Sequence, residues 1–419
     1  MDSSSRQNNQ RWAILALAML TNTLVAAAPG MALSVLFDEI SRELHLTLFQ
    51  VGVIWGIGAL PGIVTVLLGG VIGDRIGPKR ILAAGCLIIG LTGALRGLAF
   101  NFVTMAGAAF LFGLVSSFVS MNTLKACGMV FSRQELGLAS GFLSMSIALG
   151  FLAASLLSAS FLSPALGGWR NVLFLYGGID LLLAVPWLLI RSLPAHPAPG
   201  LASHVSRQPG SLPVEPPHTS LRRTFARVVR IRNVWLYGLM LLGIGGCVQG
   251  VLGYVPLYLR GQGWPGPSAD GALAAFHTIS LVCAIPIALA SDYLRSRKKV
   301  LLAAGAMIIL GVSLLSVVSG EMVWVAVCLA GMARDGFMAV LMTAIIETDG
   351  VGAAYAGTAV GIVMAMGNVG SLAAPPLGNS LTAFAPGLPF LFWAALTALG
   401  IVILLWTRDH RPRQALAMD

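Results

Sequence analysis

The sequence predicts an all-α membrane protein built from twelve transmembrane helices. Of its 419 residues, 57% are hydrophobic and only 10% are charged, which is more apolar surface than a soluble domain buries. The mean hydropathy of +0.86 points to the same class. Apolar runs also recur along the chain, and each is long enough to cross the hydrocarbon layer, which takes about 20 residues at ~1.5 Å per residue.

Six apolar runs precede a polar central segment and six come after it. The first six spans cover approximately residues 12–34, 47–71, 80–100, 102–125, 136–162 and 170–190. The second six cover approximately residues 233–258, 269–290, 299–319, 322–346, 354–384 and 386–407. The central segment is rich in proline and then in arginine, as in "PVEPPH" and "LRRTFARVVRIR", which is typical of a linker. We therefore expect a first domain at residues 1–190, a linker at 191–230 and a second domain at 231–419.

The positions of the basic residues orient the spans. Lys and Arg concentrate at both termini, in the central segment and in the loops on the same side, whereas the opposite loops hold only Arg42, Arg170 and Arg260. Because cytoplasmic loops carry the excess of Lys and Arg, we expect a multi-pass protein of the plasma (inner) membrane with both termini cytoplasmic. The bias also explains the pI of about 9.9, so the lipid bilayer and not nucleic acid is the expected partner. The stretch "VAAAPG" is similar to a signal-peptide cleavage site, but we expect the first span to be retained.

The two halves of the chain repeat each other weakly. Asp74 and Asp292 each come at the end of the second span of their half, and a basic cluster stands directly after each of them. Gly150 and Gly370 occupy matching places in the fifth and eleventh spans. Those spans also carry glycine pairs at small-xxx-small spacing, at 137/141 and 357/361, which predict close helix packing. A duplication of six plus six spans around a cytoplasmic linker is typical of a two-bundle transporter.

The stretch "GGVIGDRIGPKR", residues 69–80, gathers an aspartate and three basic residues between two apolar runs. It resembles the signature found after the second span in the major facilitator superfamily. The matching positions are Gly70, Asp74, Arg75, Gly77, Lys79 and Arg80. The resemblance implies two six-helix bundles, related by a pseudo-two-fold axis around a central cavity, that work by alternating access.

The same resemblance implies a gate at the cytoplasmic end of the bundles. In the family, residues at the positions of Asp74, Arg75 and Arg80 clamp the first bundle against the eleventh span. Asp292 is the counterpart of Asp74 in the second half. Glu347 and Asp349, in the loop "ETDGVG" ahead of the eleventh span, are the expected acidic partners of Arg75 or Arg80. A role limited to membrane topology stays open for these charges.

Five ionisable residues fall within predicted spans: Arg96, Asp180, His277, Arg334 and Asp335. Each calls for an explanation, because such a residue costs roughly 2.5–3.5 kcal/mol at mid-bilayer. Arg334 lies about halfway along the tenth span, which by the family fold lines the cavity, so it is the expected ligand of an anionic substrate. A structural network with Asp335, or a role in gating, stays open for Arg334.

Asp180, Asp335 and Arg96 are candidates for coupling transport to an ion gradient. Asp180 lies near the middle of the sixth span, where it is a candidate proton carrier. Arg96 lies near the outer end of the third span, close enough for its side chain to reach water. Its segment "GALRGLAF" is similar to one in cyanate and nitroimidazole permease-like members of the superfamily.

Polar residues on other spans complete the expected substrate site. Asn22, Asn122, Gln249 and His277 lie on the first, fourth, seventh and eighth spans. Hydrogen bonds between helices are an alternative role for these side chains.

The function that these observations favour is secondary active transport of a small anionic solute, such as an organic carboxylate or an inorganic anion, with proton coupling possible. The alternative is a multidrug/proton antiporter that exports lipophilic compounds. The chain lacks a GxxxxGK[ST] loop and the HExxH and GxSxG motifs, so we expect neither ATP hydrolysis nor an intramembrane enzyme. We expect no cofactor, no metal and a monomer. A transporter-like receptor stays open.

Overall fold

The computed structural model describes residues 3–65, 77–190 and 221–407. Within these ranges the chain is helical and contains no strand. Eleven of the described helical segments are long and apolar enough to cross a membrane. The prediction of an all-α membrane protein is confirmed, because only helices satisfy every backbone polar group within one segment in lipid.

Eight helices of the first half have both ends within the described residues, and residues 60–65 are also helical. These are α1 (Ser3–Leu20), α2 (Ala28–Glu43), α3 (Leu48–Ile57), α4 (Pro78–Gly97), α5 (Phe102–Val130), α6 (Arg133–Leu157), α7 (Ser163–Leu166) and α8 (Trp169–Leu189). A π-helical segment, Thr21–Ala27, joins α1 to α2, and another, Ser158–Leu162, joins α6 to α7. The first and fifth predicted spans are therefore continuous helical rods with a local π-helical segment.

The second half contains eight further helices within the described residues. These are α9 (Leu221–Val228), α10 (Arg232–Gly261), α11 (Gly266–Tyr293), α12 (Arg297–Leu314), α13 (Met322–Met332), α14 (Arg334–Ile346), α15 (Gly352–Ser380) and α16 (Leu388–Leu405). The ninth predicted span corresponds to α12, whose first three residues are basic. The presence of those three charges within a helix of only 18 residues explains why α12 is not among the eleven apolar segments.

The chain forms two compact units. The first comprises residues 1–46 and 60–219, and the second comprises residues 47–59 and 220–419. Helix α3 belongs to the second unit, whereas the sequence-based division places it in the first domain. The reason is close packing against α15: a Cβ added at Gly52 or Gly56 would meet the backbone of Pro376 or Leu372.

The tenth predicted span is broken at Ala333. Helix α13 ends at Met332 and α14 begins at Arg334, so that Ala333 caps both. Its backbone has φ −89° and ψ −14°, in the region where helices often end. The break places Arg334 and Asp335 in the first turn of a new helix in the middle of the span.

Glycine packing supports the internal repeat at Gly150 and Gly370. A Cβ added at Gly150 would overlap the backbone of Thr23, and one added at Gly370 would overlap the backbone of Leu242. The lack of a side chain at each glycine thus lets the fifth span of its half pack closely against the first span of that half.

The sequence also predicts close helix packing at the glycine pairs 137/141 and 357/361. This prediction is wrong for the three of these glycines that the structure tests. A Cβ at Gly137, Gly141 or Gly357 would meet no described atom within 4 Å.

We expect Gly370→Ala to destabilise the protein, because the new methyl group overlaps the Leu242 carbonyl in a helix contact with no spare room. Overpacking of this kind costs about 1–3 kcal/mol, and the thermal unfolding temperature in detergent should fall. The matched control is Gly357→Ala, which adds the same methyl group in open space on the same helix. Equal unfolding temperatures for the two variants would contradict the packing.

Candidate functional site

A pocket within the second unit brings together residues of four helices, α10, α12, α14 and α15. It is lined by Leu241, Ile244, Gly245, Val248, Gln249, Leu252, Ile308, Arg334, Phe337, Met338, Met364, Gly367, Asn368 and Ser371. The pocket holds about 180 Å³, whereas a single water needs only about 10–15 Å³ of such space. It can therefore accommodate a small organic solute.

Arg334 is the charged side chain among these lining residues. Its Nη1 lies 2.9 Å from Oδ1 of Asp335, and the two side chains are 23% and 29% exposed. The backbone N–H of Asp335 donates to Oγ of Ser280 on α11 at 3.1 Å, which fixes the start of α14 against that helix. The structure therefore places Arg334 at the pocket, as the sequence predicted, and adds a carboxylate beside it.

Uncharged polar groups face the same pocket. Gln249 donates from Nε2 to the Trp55 carbonyl at 3.5 Å, and the Trp55 indole donates back to the Gln249 carbonyl at 2.6 Å. Ser371 donates to the Gly245 carbonyl at 3.4 Å. Sequence reasoning found Gln249 but missed Ser371 and Asn368. An amide in the middle of the apolar eleventh span was the signal that could have identified Asn368.

His277 is not among the residues that line the pocket. Its side chain is 2% exposed, and its ring packs edge-on against Phe276 with 5.7 Å between centroids. It lies close enough to Arg334 to experience the charge of the guanidinium. Direct contact between His277 and a substrate stays a prediction.

Asn22 and Asn122 are buried within the first unit. The Asn22 side chain accepts a hydrogen bond from Thr123 Oγ1 at 3.0 Å and donates to the Leu143 carbonyl at 3.5 Å. Asn122 donates to the Phe118 carbonyl at 2.8 Å, one turn earlier on α5. Asn22 thus links three helices, which is the alternative role that the sequence left open. Substrate binding by either residue stays a prediction.

Arg96 and Asp180 form a buried group in the first unit. Arg96 is 1% exposed, so the expectation that it reaches water is wrong. Its Nη1 donates to the Pro29 carbonyl at 3.0 Å, and its Cζ lies 3.9 Å from the centroid of the Phe112 ring. These contacts replace water for the cation. Asp180 is 0% exposed. A Cβ added at Gly93 would lie within 4 Å of both the Arg96 and the Asp180 side chains, so these two side chains are close to each other.

The expected gate residues lie partly outside the described residues. Asp74 and Arg75 lie outside the described residues, whereas Arg80 is described and is exposed at the start of α4. In the second unit, Asp292 and Glu347 are joined by Arg297, which sequence reasoning missed. Arg297 donates from Nε and Nη2 to the two Glu347 oxygens at 3.1 and 3.0 Å, and from Nη1 to Asp292.

Two lysines of the basic clusters have a structural role at helix ends. Lys79 donates to the Ile190 carbonyl, just past the end of α8. Lys298 donates to the carbonyls of Leu405 and Thr407 at 2.7 and 2.8 Å, at the end of α16. A cation at a helix C-terminus satisfies carbonyls that have no partner within the helix. The two lysines hold equivalent places in the repeat. Part of each basic cluster therefore links the third span of its half, α4 or α12, to the sixth span of that half, α8 or α16.

A comparison with protein families decides the class of the protein. The model of the Major Facilitator Superfamily matches residues 15–349 and 272–417. The chain belongs to the major facilitator superfamily. It is therefore a multi-pass membrane transporter of small solutes and not an enzyme, and the resemblance seen in the loop 69–80 is confirmed.

Two curated members of this superfamily are similar in sequence. The 3-(3-hydroxy-phenyl)propionate transporter of Escherichia coli (strain K12) is 26% identical over 371 residues, which cover 87% of this chain and 86% of the relative. A probable sulfoacetate transporter of Cupriavidus necator is 26% identical over 176 residues, or 42% of this chain and 40% of the relative.

Solved structures of other superfamily members share the fold. A bacterial homologue of the human lysosomal transporter Spinster superposes with a TM-score of 0.71 at 17% identity, covering 94% of this chain and 95% of the homologue. The nucleoside transporter NupG superposes with a TM-score of 0.72 at 13% identity, covering 94% and 99%. The predicted fold of two six-helix bundles is confirmed.

Proposed function

We propose that this superfamily member carries a small organic anion across the membrane and that Arg334 binds the anionic group. The observation that supports the proposal is the placement of the Arg334 guanidinium at the wall of a pocket otherwise lined by apolar and uncharged polar side chains. A guanidinium presents parallel N–H donors that match the two oxygens of a carboxylate or sulfonate.

The remaining pocket wall suits an apolar or aromatic body on that anion. Ile244, Leu252, Phe337 and Met338 provide the apolar surface, and Gln249 provides an amide for a hydroxyl group. The two curated relatives are named for 3-(3-hydroxy-phenyl)propionate and sulfoacetate, which are both organic anions at neutral pH. We propose an aryl- or alkyl-carboxylate as the substrate class, carried by alternating access.

The alternative function is export of lipophilic compounds by proton antiport. The methionines and the phenylalanine of the pocket favour it, because flexible apolar side chains accommodate varied ligands. Arg334 opposes it for lipophilic cations, because its guanidinium lines the pocket whereas the paired Asp335 carboxylate is not among the lining residues.

Binding by the purified protein separates these functions. We expect 3-phenylpropionate to raise the thermal unfolding temperature in detergent, because a ligand that binds only the folded state stabilises it. The matched control is 3-phenylpropanamide, which has nearly the same shape but no charge, and it should give a much smaller shift. Stabilisation by the amide or by lipophilic cations, without stabilisation by the carboxylate, would favour export of lipophilic compounds.

We also propose that the cluster of Asp292, Arg297 and Glu347 acts as a gate in the second unit, with Asp74, Arg75 and Arg80 as its counterpart in the first. Arg297 holds two carboxylates at once, and without it they would repel each other. The charges of the chain support a setting in the inner membrane with both termini in the cytoplasm. In that orientation this gate faces the cytoplasm.

We expect Arg297→Gln to slow uptake of 3-phenylpropionate several-fold while its binding in detergent stays at the wild-type level, because Arg297 lies outside the pocket. Uptake into proteoliposomes and the thermal shift give the two values. Arg42→Gln is the matched control, since it removes an arginine from a surface ion pair with Asp38. Uptake at the wild-type rate in Arg297→Gln would refute the gate.

A further inference from the structure

We propose that α9 and the start of α10 form a binding surface for an anionic phospholipid of the surrounding membrane. The surface consists of Phe225, Arg230, Arg232 and Trp235, whose side chains are all exposed. The two guanidinium groups bind the phosphate of the headgroup, and the two aromatic rings contact the acyl chains. The site binds a lipid of the bilayer and is separate from the pocket for the transported solute.

Helix α9 is docked onto the second unit. Val228 is 0% exposed, and the Arg227 guanidinium lies 4.9 Å from the centroid of the Tyr355 ring and donates to the Tyr355 hydroxyl at 3.2 Å. Tyr355 belongs to the first turn of α15. Ile231, between α9 and α10, has its Cδ1 3.4 Å from a Cβ added at Gly350. These contacts fix α9 in place, so the lipid meets a surface that is already formed.

The surface lies where an amphipathic basic helix meets a membrane span. The sequence of α9 is "LRRTFARV", and α10, which begins at Arg232, is apolar and long enough to cross the bilayer. Arg232 and Trp235 therefore lie at the end of the span, at the depth of the headgroups. Tryptophan is enriched at this depth, and the long arginine side chain reaches the headgroups from it. Helices that lie in the membrane interface combine the same residue types.

Exposed aromatic rings distinguish this surface from a basic loop in water. Phe225 is 45% exposed and Trp235 is 41% exposed. The Trp235 indole N–H donates to the Val229 carbonyl at 2.7 Å, so the polar edge of the ring is satisfied within the protein while the rest of the ring stays accessible. Apolar rings beside exposed cations suit a ligand that is both apolar and anionic, which is the chemistry of an acidic phospholipid.

The charges around the surface also favour an anion. Among the described residues, no carboxylate forms an ion pair with Arg230 or Arg232. The loop between α14 and α15 carries two acids, Glu347 and Asp349, and Arg297 already holds Glu347 at 3.0 Å. An anionic headgroup supplies a counter-charge to the two arginines, and basic side chains close to an anionic membrane surface are attracted to it.

Lipid binding by the purified protein tests the site. Native mass spectrometry of the detergent-solubilised protein, titrated with phosphatidylglycerol, gives the dissociation constant of the first lipid bound. We expect Arg230→Gln to weaken this binding about fivefold, which corresponds to ~1 kcal/mol, and the double variant Arg230→Gln/Arg232→Gln to weaken it further. Phosphatidylcholine, whose headgroup has no net charge, should bind the wild type more weakly and should not respond to these variants.

Arg295→Gln is the matched control, because Arg295 is another exposed arginine of the second unit, in the turn between α11 and α12. It changes the net charge by the same amount and should leave the first phosphatidylglycerol bound as in the wild type. Equal weakening by Arg295→Gln and Arg230→Gln would show a general attraction to the charge of the protein and would overturn the site. Equal binding of phosphatidylglycerol and phosphatidylcholine by the wild type would overturn it as well.

Phe225→Ser tests the contact with the acyl chains without changing any charge. Phosphatidylglycerol binding should weaken several-fold, whereas the unfolding temperature without added lipid should stay unchanged, because the Phe225 ring is exposed. Glycerol phosphate carries the anionic group without acyl chains and should not displace the lipid. Displacement by glycerol phosphate, together with wild-type lipid binding in Phe225→Ser, would identify a site for a soluble anion and overturn the lipid site.

Discussion

Arg334→Gln is expected to lower the affinity for 3-phenylpropionate by about a hundredfold or more. A hydrogen bond to a charged group contributes roughly 1.5–3 kcal/mol, and the guanidinium can form two of them with one carboxylate. Loss of about 2.8 kcal/mol corresponds to a factor of one hundred. Titration of the purified protein by calorimetry measures the change.

Two variants control for this prediction. Arg334→Lys keeps the charge but loses the planar pair of donors, and its affinity should fall about tenfold, between the wild type and the glutamine variant. Arg42→Gln removes a surface arginine outside the pocket and should leave binding unchanged. A folded Arg334→Gln protein with wild-type affinity would remove Arg334 from the substrate site.

Asp180→Leu is expected to destabilise the first unit by about 1–3 kcal/mol, because it removes the acid that lies near the buried Arg96 cation. The guanidinium cannot lose its charge, and the Pro29 carbonyl and the Phe112 ring compensate only part of it. Thermal and denaturant unfolding in detergent should both show the loss.

Two further variants test whether the loss of stability in Asp180→Leu comes from the interaction between Asp180 and Arg96. Arg96→Met should cost less than Asp180→Leu, because a carboxyl group left alone can be neutralised by a proton. The double variant should recover much of the stability lost in Asp180→Leu, since it removes the buried cation together with the acid that lies near it. Additive losses in the double variant would show that Arg96 and Asp180 act independently.

The fold could be predicted from the sequence because lipid allows few solutions. Apolar runs of sufficient length must be helices, and the repeated aspartate and basic cluster after the second span of each half identify the superfamily. Local irregularities could not be predicted in this way. The break at Ala333 and the π-helical segment at Thr21–Ala27 lie in runs whose hydropathy is continuous.

The candidate site was predicted in part. Arg334 and Gln249 stand out because a charge and an amide are rare in apolar spans. The same criterion selected Asn22 and Arg96, which the structure buries in contacts between helices. Rarity in a span identifies a polar group but does not reveal which face of the helix carries it. The ion pairs that Arg334 forms with Asp335 and that Glu347 forms with Arg297 depend on side-chain geometry, which the sequence does not specify.

Uptake of radiolabelled 3-phenylpropionate into proteoliposomes tests the central claim most directly. Wild-type protein should accumulate the carboxylate above the background of empty liposomes, and unlabelled carboxylate should compete, whereas 3-phenylpropanamide should not. Arg334→Gln should reduce the uptake to background while the protein remains folded. Equal uptake by wild type and Arg334→Gln, or equal competition by the amide, would contradict anion transport through the Arg334 pocket.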